Sequence, residues 1–322
     1  MAKEEYNLEY YKQASLLLKV LPNVFETTSQ FVLHGGTAIN FFLYEGLHRL
    51  SVDIDLKYIT KETTASAAIG IKNELEKIIN QIRYLPYIKK AFYDKNAPRI
   101  HVESRDNVKI KIDTSVESRE VIGEIETLDA SDAVKNEFEI GSMKIPIAPR
   151  CQIYGSKIAA GLSRQKPRDM FDCMIFLKNH TIDESVKEGF FRNIILSSAR
   201  NFRILNPLIT YREFLMEKEF NGMTYSEFTY QDHKQSLIEA IRALHSSLDK
   251  EDKQFLLNLE LGTPDYDRYH WMNSIVIKEK LEQDAKLEIS QKNRRARISN
   301  LLDYFEKGPS FIEKTSRYRT EN

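Results

Sequence analysis

Along the chain, stretches with apolar residues at three- and four-residue steps alternate with short stretches where apolar and polar positions change places one by one. In residues 7–21, Leu8, Tyr11, Ala14, Leu17, Leu18 and Leu21 share one side of a helical repeat, which predicts a helix stopped by Pro22. A short apolar run, Phe31-Val32-Leu33, then breaks into Gly35-Gly36-Thr37. That order predicts a strand, a tight turn and a helix over 37–45, with Thr37 near its N-cap and Gly46 at its end. Residues 51–58 alternate strictly: Val52, Ile54 and Leu56 face one way, Asp53, Asp55 and Lys57 the other, as in a half-buried strand.

Residues 63–84 have helical periodicity through Ile71, Leu75, Ile78, Ile79 and Ile82. Segments 100–104 and 108–115 predict a hairpin turning at Asp106-Asn107, its second arm alternating Val108, Ile110 and Ile112 against Lys109, Lys111 and Asp113. Strand-like material runs from Glu137 to Ile147, and helices follow over 150–164, 169–178, 183–199 and most of 224–306. There is no internal repeat and no low-complexity tract. Mixed elements give way to helical periodicity near Asn206-Pro207. We therefore expect two domains, residues 1–205 and 206–322. The fold class read from this order is α+β, a mixed sheet with flanking helices followed by a C-terminal helical bundle.

Composition narrows the picture. Hydrophobic residues make up 42% of 322 and charged residues 29%, an ordinary globular balance that excludes disorder over most of the chain. With 12 Gly and 9 Pro a fibrous architecture is excluded. Lys+Arg and Asp+Glu both number 47, which excludes a uniformly basic nucleic-acid coat but not a local patch. No apolar run is long enough to cross a bilayer, and the acidic, polar start is unlike a signal peptide, so a cytoplasmic protein is expected. Cys151 and Cys173 have no metal spacing and form no disulfide framework.

The strongest chemical signal is Gly35-Gly36-Thr37 followed, on the next strand, by Asp53-Ile54-Asp55. Two residues apart on a strand, both carboxylates project from one face, roughly 7 Å apart. Mg²⁺ takes oxygen ligands and is commonly held by one or two carboxylates plus substrate phosphates. A glycine pair lets backbone N–H groups approach a phosphate, and a helix starting there favours negative charge. Such parts suit phosphoryl or nucleotidyl transfer, where catalysis is mostly positioning and charge stabilisation. Taken singly, an Asp-x-Asp strand is usually a solvated face and a Gly-Gly usually a turn. It is their order that carries the signal.

The stretch Leu33-His34-Gly35-Gly36-Thr37-Ala38 through Arg49-Leu50-Ser51-Val52-Asp53-Ile54-Asp55-Leu56 resembles the AbiEii/MenT family of nucleotidyltransferase-like toxins, within the DNA polymerase β-like nucleotidyltransferase superfamily. A second block, Lys157-Ile158-Ala159-Ala160 with Arg164 and Lys166-Pro167-Arg168-Asp169-Met170-Phe171-Asp172, is similar to the family's Lys-x-x-Ala, Arg, Arg-Asp-x-x-Asp segment. Weaker similarity extends to Gly222-Met223-Thr224-Tyr225. The resemblance implies a metal-dependent enzyme that moves an NMP from an NTP to an acceptor. By the same resemblance the acceptor is RNA such as the 3′ end of tRNA, and the enzyme is the toxin of a bacterial toxin–antitoxin or phage-defence system with a cognate antitoxin. It implies Mg²⁺, or Mn²⁺, on Asp53, Asp55 and Asp113, with Glu103 or Glu117 as substitutes for the third acid. It implies phosphate binding by Gly35, Gly36, Thr37, Lys157 and Arg164, and an essential carboxylate at Asp169 in preference to Asp172.

Physically, Lys157 and Arg164 lie two helical turns apart on one face, and a carboxylate at Asp169 suits a helix start. Arg164, Arg168, Asp169 and Asp172 read equally as an ordinary salt-bridge network. His34, Arg49 and Ser51 flank the motifs as lesser candidates, and Trp271 reads as core. Residues 286–322 hold nine Lys/Arg against five Asp/Glu. Lys292, Arg294, Arg295 and Arg297, backed by Lys314, Arg317 and Arg319, are a candidate RNA-backbone contact, or else a solvated helix face. Two other readings remain: a nucleotidyltransferase acting on a small molecule or protein, and a non-enzymatic protein that keeps the fold to bind a partner or nucleic acid.

Overall fold

The computed structural model describes residues 6–197, 201–286 and 291–314, the side chains of 201–202, 291–292 and 313–314 excepted. The chain divides into two compact units: Met1–Ile153 with Asn221–Glu227, and Tyr154–Phe220 with Phe228–Asn322. The division falls at Ile153–Tyr154, well before the compositional change near Asn206, and a short later segment returns to the first unit.

The first unit opens with helix α1 (Leu8–Thr27), capped by Asn7, whose side chain accepts from the Glu9 amide at 2.8 Å. Pro22 does not stop this helix; it lies inside it. A proline there removes one backbone hydrogen bond at a cost of roughly 3 kcal/mol. Leu16, Leu17, Leu18, Val20, Leu21 and Val24 are buried on both sides of it, and each buried side chain of this size contributes about 1.5–3 kcal/mol. Packing therefore overrides the proline.

Next come β1 (Phe31–His34), α2 (Gly35–Ala38) continuing into a π-helical turn (Ile39–Leu43), β2 (Asp53–Tyr58), α3 (Thr64–Ile82), β3 (Ile88–Tyr93), β4 (Arg99–Ser104) and β5 (Lys109–Asp113). Then follow β6 (Glu126–Asp129), α4 (Asp132–Phe138) and β7 (Lys144–Ile147). Among the described residues these strands form one mixed sheet in the order β3-β4-β5-β2-β1-β7-β6. The expected hairpin is β4–β5, with Asn107 in the left-handed region (φ 61) at its turn. Between Glu137 and Ile147 only Lys144–Ile147 is strand; Asp132–Phe138 is a helix with Ser131 as its N-cap.

Strands β2 and β5 run parallel with Ile54 opposite Ile112, and β4–β5 is antiparallel with Ile100 opposite Ile112 and Val102 opposite Ile110. These isoleucines and Val102 are buried on the face covered by α1 and α3. The residues between them, Asp53, Asp55, Lys111, Asp113, Arg99 and His101, occupy the other face.

The second unit is helical: α5 (Arg150–Arg164), which begins in the first, α6 (Pro167–Asn179), α7 (Glu184–Leu196), α8 (Asn201–Leu205), α9 (Phe214–Glu219), α10 (Tyr230–Ser247), α11 (Lys250–Leu261), α12 (Ile275–Lys286) and α13 (Gln291–Lys307). Two short strands, β8 (Ile209–Thr210) and β9 (Glu313–Lys314), pair in parallel within it. Trp271 is core, in a 3₁₀ turn, its indole N–H donating to Glu188 at 3.3 Å. Among the described residues no helix is long and apolar enough to cross a membrane.

Candidate active site

The chemistry-bearing residues of the first unit meet where β1 ends and β2 begins. Register places His34 opposite Asp55 across β1–β2, and Asp55 opposite Asp113 across β2–β5. Paired residues on neighbouring strands project from the same face, with strands about 4.8 Å apart. Glu103 lies towards the other end of the hairpin, opposite Lys109 and paired with Lys89 at 2.7 Å, while Glu117 accepts from the Ser115 hydroxyl at 2.8 Å. Asp113 alone of the three candidate third acids is in register with the pair.

The glycine turn is shaped by its neighbours. Gly35 is left-handed (φ 69), and a Cβ there would come within 2.0 Å of Asp55 Oδ2. A Cβ on Gly36 would come within 2.7 Å of an Arg49 guanidinium nitrogen. Arg49 is buried and donates to the Leu50 carbonyl at 2.7 Å. Thr37 is no N-cap. It lies fully buried in α2, donates its hydroxyl to the Asp53 carbonyl at 2.6 Å and stands 2.9 Å from Ser51 Oγ. Its hydroxyl thus ties the helix after the turn to the backbone of the acid strand. The returning segment braces the same place: the Leu50 amide donates to Met223 O at 2.7 Å, and Thr224 donates to His48 O at 2.7 Å.

Arg99, which the motifs do not mark, lies opposite Asp113 on β4 and donates to it through Nε. Asp113, and behind it Asp94 and Asp53, hold the Arg99 guanidinium above its ordinary pKa. Asp53, Asp55 and Asp113 present oxygen ligands only, the donor type a hard divalent cation prefers. Their oxygens do not all fall within 4.8 Å of one another, and Arg99 supplies the positive charge beside Asp113. Asp53 and Asp55 with substrate phosphates would suffice for Mg²⁺, and Asp113 could join once Arg99 turns away.

In the second unit, Lys157 Nζ lies 3.2 Å from Asp169 and 3.0 Å from Asp172, all three nearly buried. Both acids therefore share the lysine. Arg164, more than half exposed, pairs with Asp169 at 2.9 Å. Burial alone would raise the Asp169 carboxyl, but Lys157 and Arg164 hold it below the usual carboxylate range. Burial pushes the neighbouring Cys173 thiol up, so it is no nucleophile. Gly161 lets α5 and α6 approach closely, since a Cβ there would meet Met170 Cε at 2.4 Å.

Among the described residues, one trio of potential metal ligands has its ligand atoms all within 4.8 Å: Glu184, Asp249 and Asp252. Lys187 already occupies it, with Nζ 2.5 Å from Asp252, 2.7 Å from Glu184 and 3.7 Å from Asp249. Arg268 and the Tyr269 hydroxyl add donors to Asp252 at 3.2 and 3.1 Å. An ammonium ion stands where a metal would, and we read the cluster as structural.

The basic stretch of α13 is only partly described. Arg297 pairs with the buried Glu260 at 3.4 Å, while Arg294 and Arg295 are exposed. The side chains of Lys292 and Lys314, and all of Arg317 and Arg319, lie outside the described residues.

The family described as nucleotidyl transferase AbiEii toxin, Type IV TA system, matches residues 17–271. No curated protein matches the chain. Among solved structures, MenT4, a nucleotidyltransferase toxin from Mycobacterium tuberculosis H37Rv, superposes with a TM-score of 0.61 at 12% identity, covering 86% of this chain and 94% of its own. JHP933 from Helicobacter pylori gives a TM-score of 0.37 at 15% identity, covering 94% of this chain and 96% of its own. The CD-NTase CdnG from Bradyrhizobium diazoefficiens, solved with GTP, gives 0.25 at 11% identity over 88% of this chain and 96% of its own. The first likeness shows a shared fold; the two lower scores add nothing to it. With the family matching most of the chain, this protein is a nucleotidyltransferase and belongs to the AbiEii toxin family.

Proposed function

We propose that the protein transfers a nucleoside monophosphate from an NTP to the 3′ end of an RNA, with tRNA as the acceptor, and that a cognate antitoxin restrains it in the cytoplasm. The observation that carries this reading is the meeting of Asp55 with Gly35 on one side and Asp113 on the other. A glycine turn and two carboxylates thus lie side by side on the central strands of the sheet.

In this reading Asp53 and Asp55 hold Mg²⁺ or Mn²⁺, and Asp113 completes the set. The bound ion would screen the triphosphate and the leaving pyrophosphate. Gly35, Gly36 and Thr37 offer backbone to the phosphates at the turn, and the Thr37 hydroxyl ties that turn to the Asp53 strand. The acceptor oxygen forms a bond to the α-phosphorus as the bond to the β-phosphate oxygen breaks. The acceptor proton passes to solvent water on the side away from the glycine turn, and pyrophosphate leaves. Roles for Lys157, Arg164 and Asp169 toward the NTP belong to the same proposal and rest on family membership.

The test is incubation with each labelled NTP, Mg²⁺ and total tRNA, read on a denaturing gel. Label on tRNA, lost with chelator and with Asp53→Asn, is the expected result. Label on protein or on a small molecule, with tRNA unlabelled, would replace the acceptor.

A further inference from the structure

Two rows of side chains cross the open face of the sheet. One runs Phe92↔His101, His101↔Lys111, Lys111↔Asp53; the next runs Arg99↔Asp113, Asp113↔Asp55, Asp55↔His34. Each row therefore begins at a candidate acid or its neighbour and ends on the β4–β3 side of the sheet. The Phe92 ring, 41% exposed, stacks on the His101 imidazole with centroids 5.1 Å apart and planes at 20°. Asp94 fixes that imidazole, its Oδ2 2.9 Å from Nε2. Lys90 Nζ caps the phenyl ring at 4.3 Å from its centroid.

Core packing does not explain this pair. The apolar residues of β4 and β5, Ile100, Val102, Ile110 and Ile112, are already buried on the opposite face. The charges nearby are lopsided: Lys90, Lys109 and Lys111 are exposed, whereas Glu103 is engaged by Lys89 and Asp94 by His101. A flat exposed ring backed by a fixed second ring, with lysines around it, has the chemistry of a single-strand platform. Bases stack and ammonium groups follow the phosphates. Paired bases offer no free face, so the surface suits an unpaired end.

Strand order decides which substrate arrives there. The glycine turn follows β1, on one flank of β2, and Phe92 and His101 lie on the other flank, beyond β5. In phosphoryl transfer the attacking and leaving oxygens stand roughly in line on opposite sides of phosphorus. With the triphosphate on the glycine side, the attacking hydroxyl must come from the β5–β4 side. Resting on the function proposed above, we infer that Phe92 and His101 form the platform on which the unpaired terminal bases of the acceptor RNA stack, with Lys90, Lys109 and Lys111 on its phosphates. An arriving base exchanges with the Lys90 ammonium, which then meets the incoming backbone.

The test uses the full-length protein and a fluorescein-labelled single-stranded RNA of about eight nucleotides, within the span of one such groove. Binding is followed by anisotropy at several salt concentrations, with the matching duplex as control. The wild type binds the single strand in preference to the duplex. Phe92→Ala weakens it at least about fivefold, the smaller loss expected for one stacked base, and Phe92→Trp retains it. Lys109→Gln and Lys111→Gln each flatten the salt dependence by about 0.7 in log–log slope. NTP binding is unchanged in all four variants, and their melting temperatures match the wild type. If Phe92→Ala binds RNA as the wild type does, or loses NTP binding instead, the platform assignment is wrong while the function proposed above stands. If the wild type binds no single-stranded RNA, the assignment falls together with the RNA acceptor.

Discussion

The Asp55 carboxylate lies so close to the Gly35 Cα that a side chain and the acid cannot share the space: a Cβ would come within 2.0 Å of Oδ2. Gly35 also has a positive φ of 69, where an L side chain is strained. Gly35→Ala should therefore displace Asp55 at a modest stability cost of about 1–3 kcal/mol. A shift of about 1 Å in a catalytic group can cost a hundredfold. We expect NMP transfer to fall by roughly that factor while circular dichroism stays native. Near-normal turnover in this variant would mean that Asp55 is not aligned by the glycine.

Thr37 invites a subtler change. Its buried hydroxyl is the donor to the Asp53 carbonyl. Thr37→Val keeps the shape and leaves that carbonyl short of a partner, a loss of about 1–3 kcal/mol. Thr37→Ser keeps the donor. Urea unfolding should show the valine variant destabilised and the serine variant close to wild type, with activity following the same order.

Asp53→Asn and Asp55→Asn remove the charge of two half-buried side chains while keeping their size, so both proteins should keep the wild-type circular dichroism spectrum. Losing a metal-supported interaction worth several kcal/mol in the transition state predicts at least about a hundredfold less transfer. Isothermal titration with Mn²⁺ should show the divalent site weakened in both. By contrast, Asp252→Asn should leave Mn²⁺ binding unchanged but cost stability, on the order of 3–5 kcal/mol, since it strips the Lys187 cluster of its buried charge. A Mn²⁺ site lost in Asp252→Asn and kept in Asp53→Asn would reverse the assignment.

Lys157→Ala leaves Asp169 and Asp172 buried without their shared cation, which predicts destabilisation of about 3–5 kcal/mol. The pH dependence follows from Asp169. Its folded pKa is depressed, so its contribution is complete above the unfolded value near ~4 and is lost as pH falls through the folded value. The stability gap between wild type and Asp169→Asn should be wide at neutral pH and close on acidification. A gap that widened in acid would contradict the ion pairing described here.

What could be read from the sequence was what local periodicity encodes. Asp53 and Asp55 stood out because Val52, Ile54 and Leu56 alternate with them, and the β4–β5 hairpin was legible for the same reason. Strand β3 was not: a bulge between Ile88 and Lys90 breaks its alternation. Pro22 misled because the burial that outweighs it comes from distant elements. Thr37 looked like a cap because Thr before an apolar stretch usually is one; its partner, Asp53, is sixteen residues away. Arg99 and Phe92 carried no motif, since their significance arises only when register sets them beside Asp113 and His101. Lys157 and Asp169 stand out only through family likeness, and without it Arg164, Arg168, Asp169 and Asp172 read equally as a salt-bridge network.

The segment Asn221–Glu227 has a consequence for how the protein is made. Gly222 accepts the Asn7 amide at 2.9 Å and Met223 accepts the Leu50 amide at 2.7 Å, so the first unit is finished by residues synthesised long after its sheet. A nascent chain that has reached residue 205 holds every acid of the sheet but lacks the strap that steadies the loop leading into them. Contacts of such sequence separation form late in folding. On a translating ribosome the enzyme stays incomplete until residues 154–220 of the second unit and the strap after them have been made, so a product truncated before residue 221, by premature termination or proteolysis, is disarmed by topology rather than by any inhibitor.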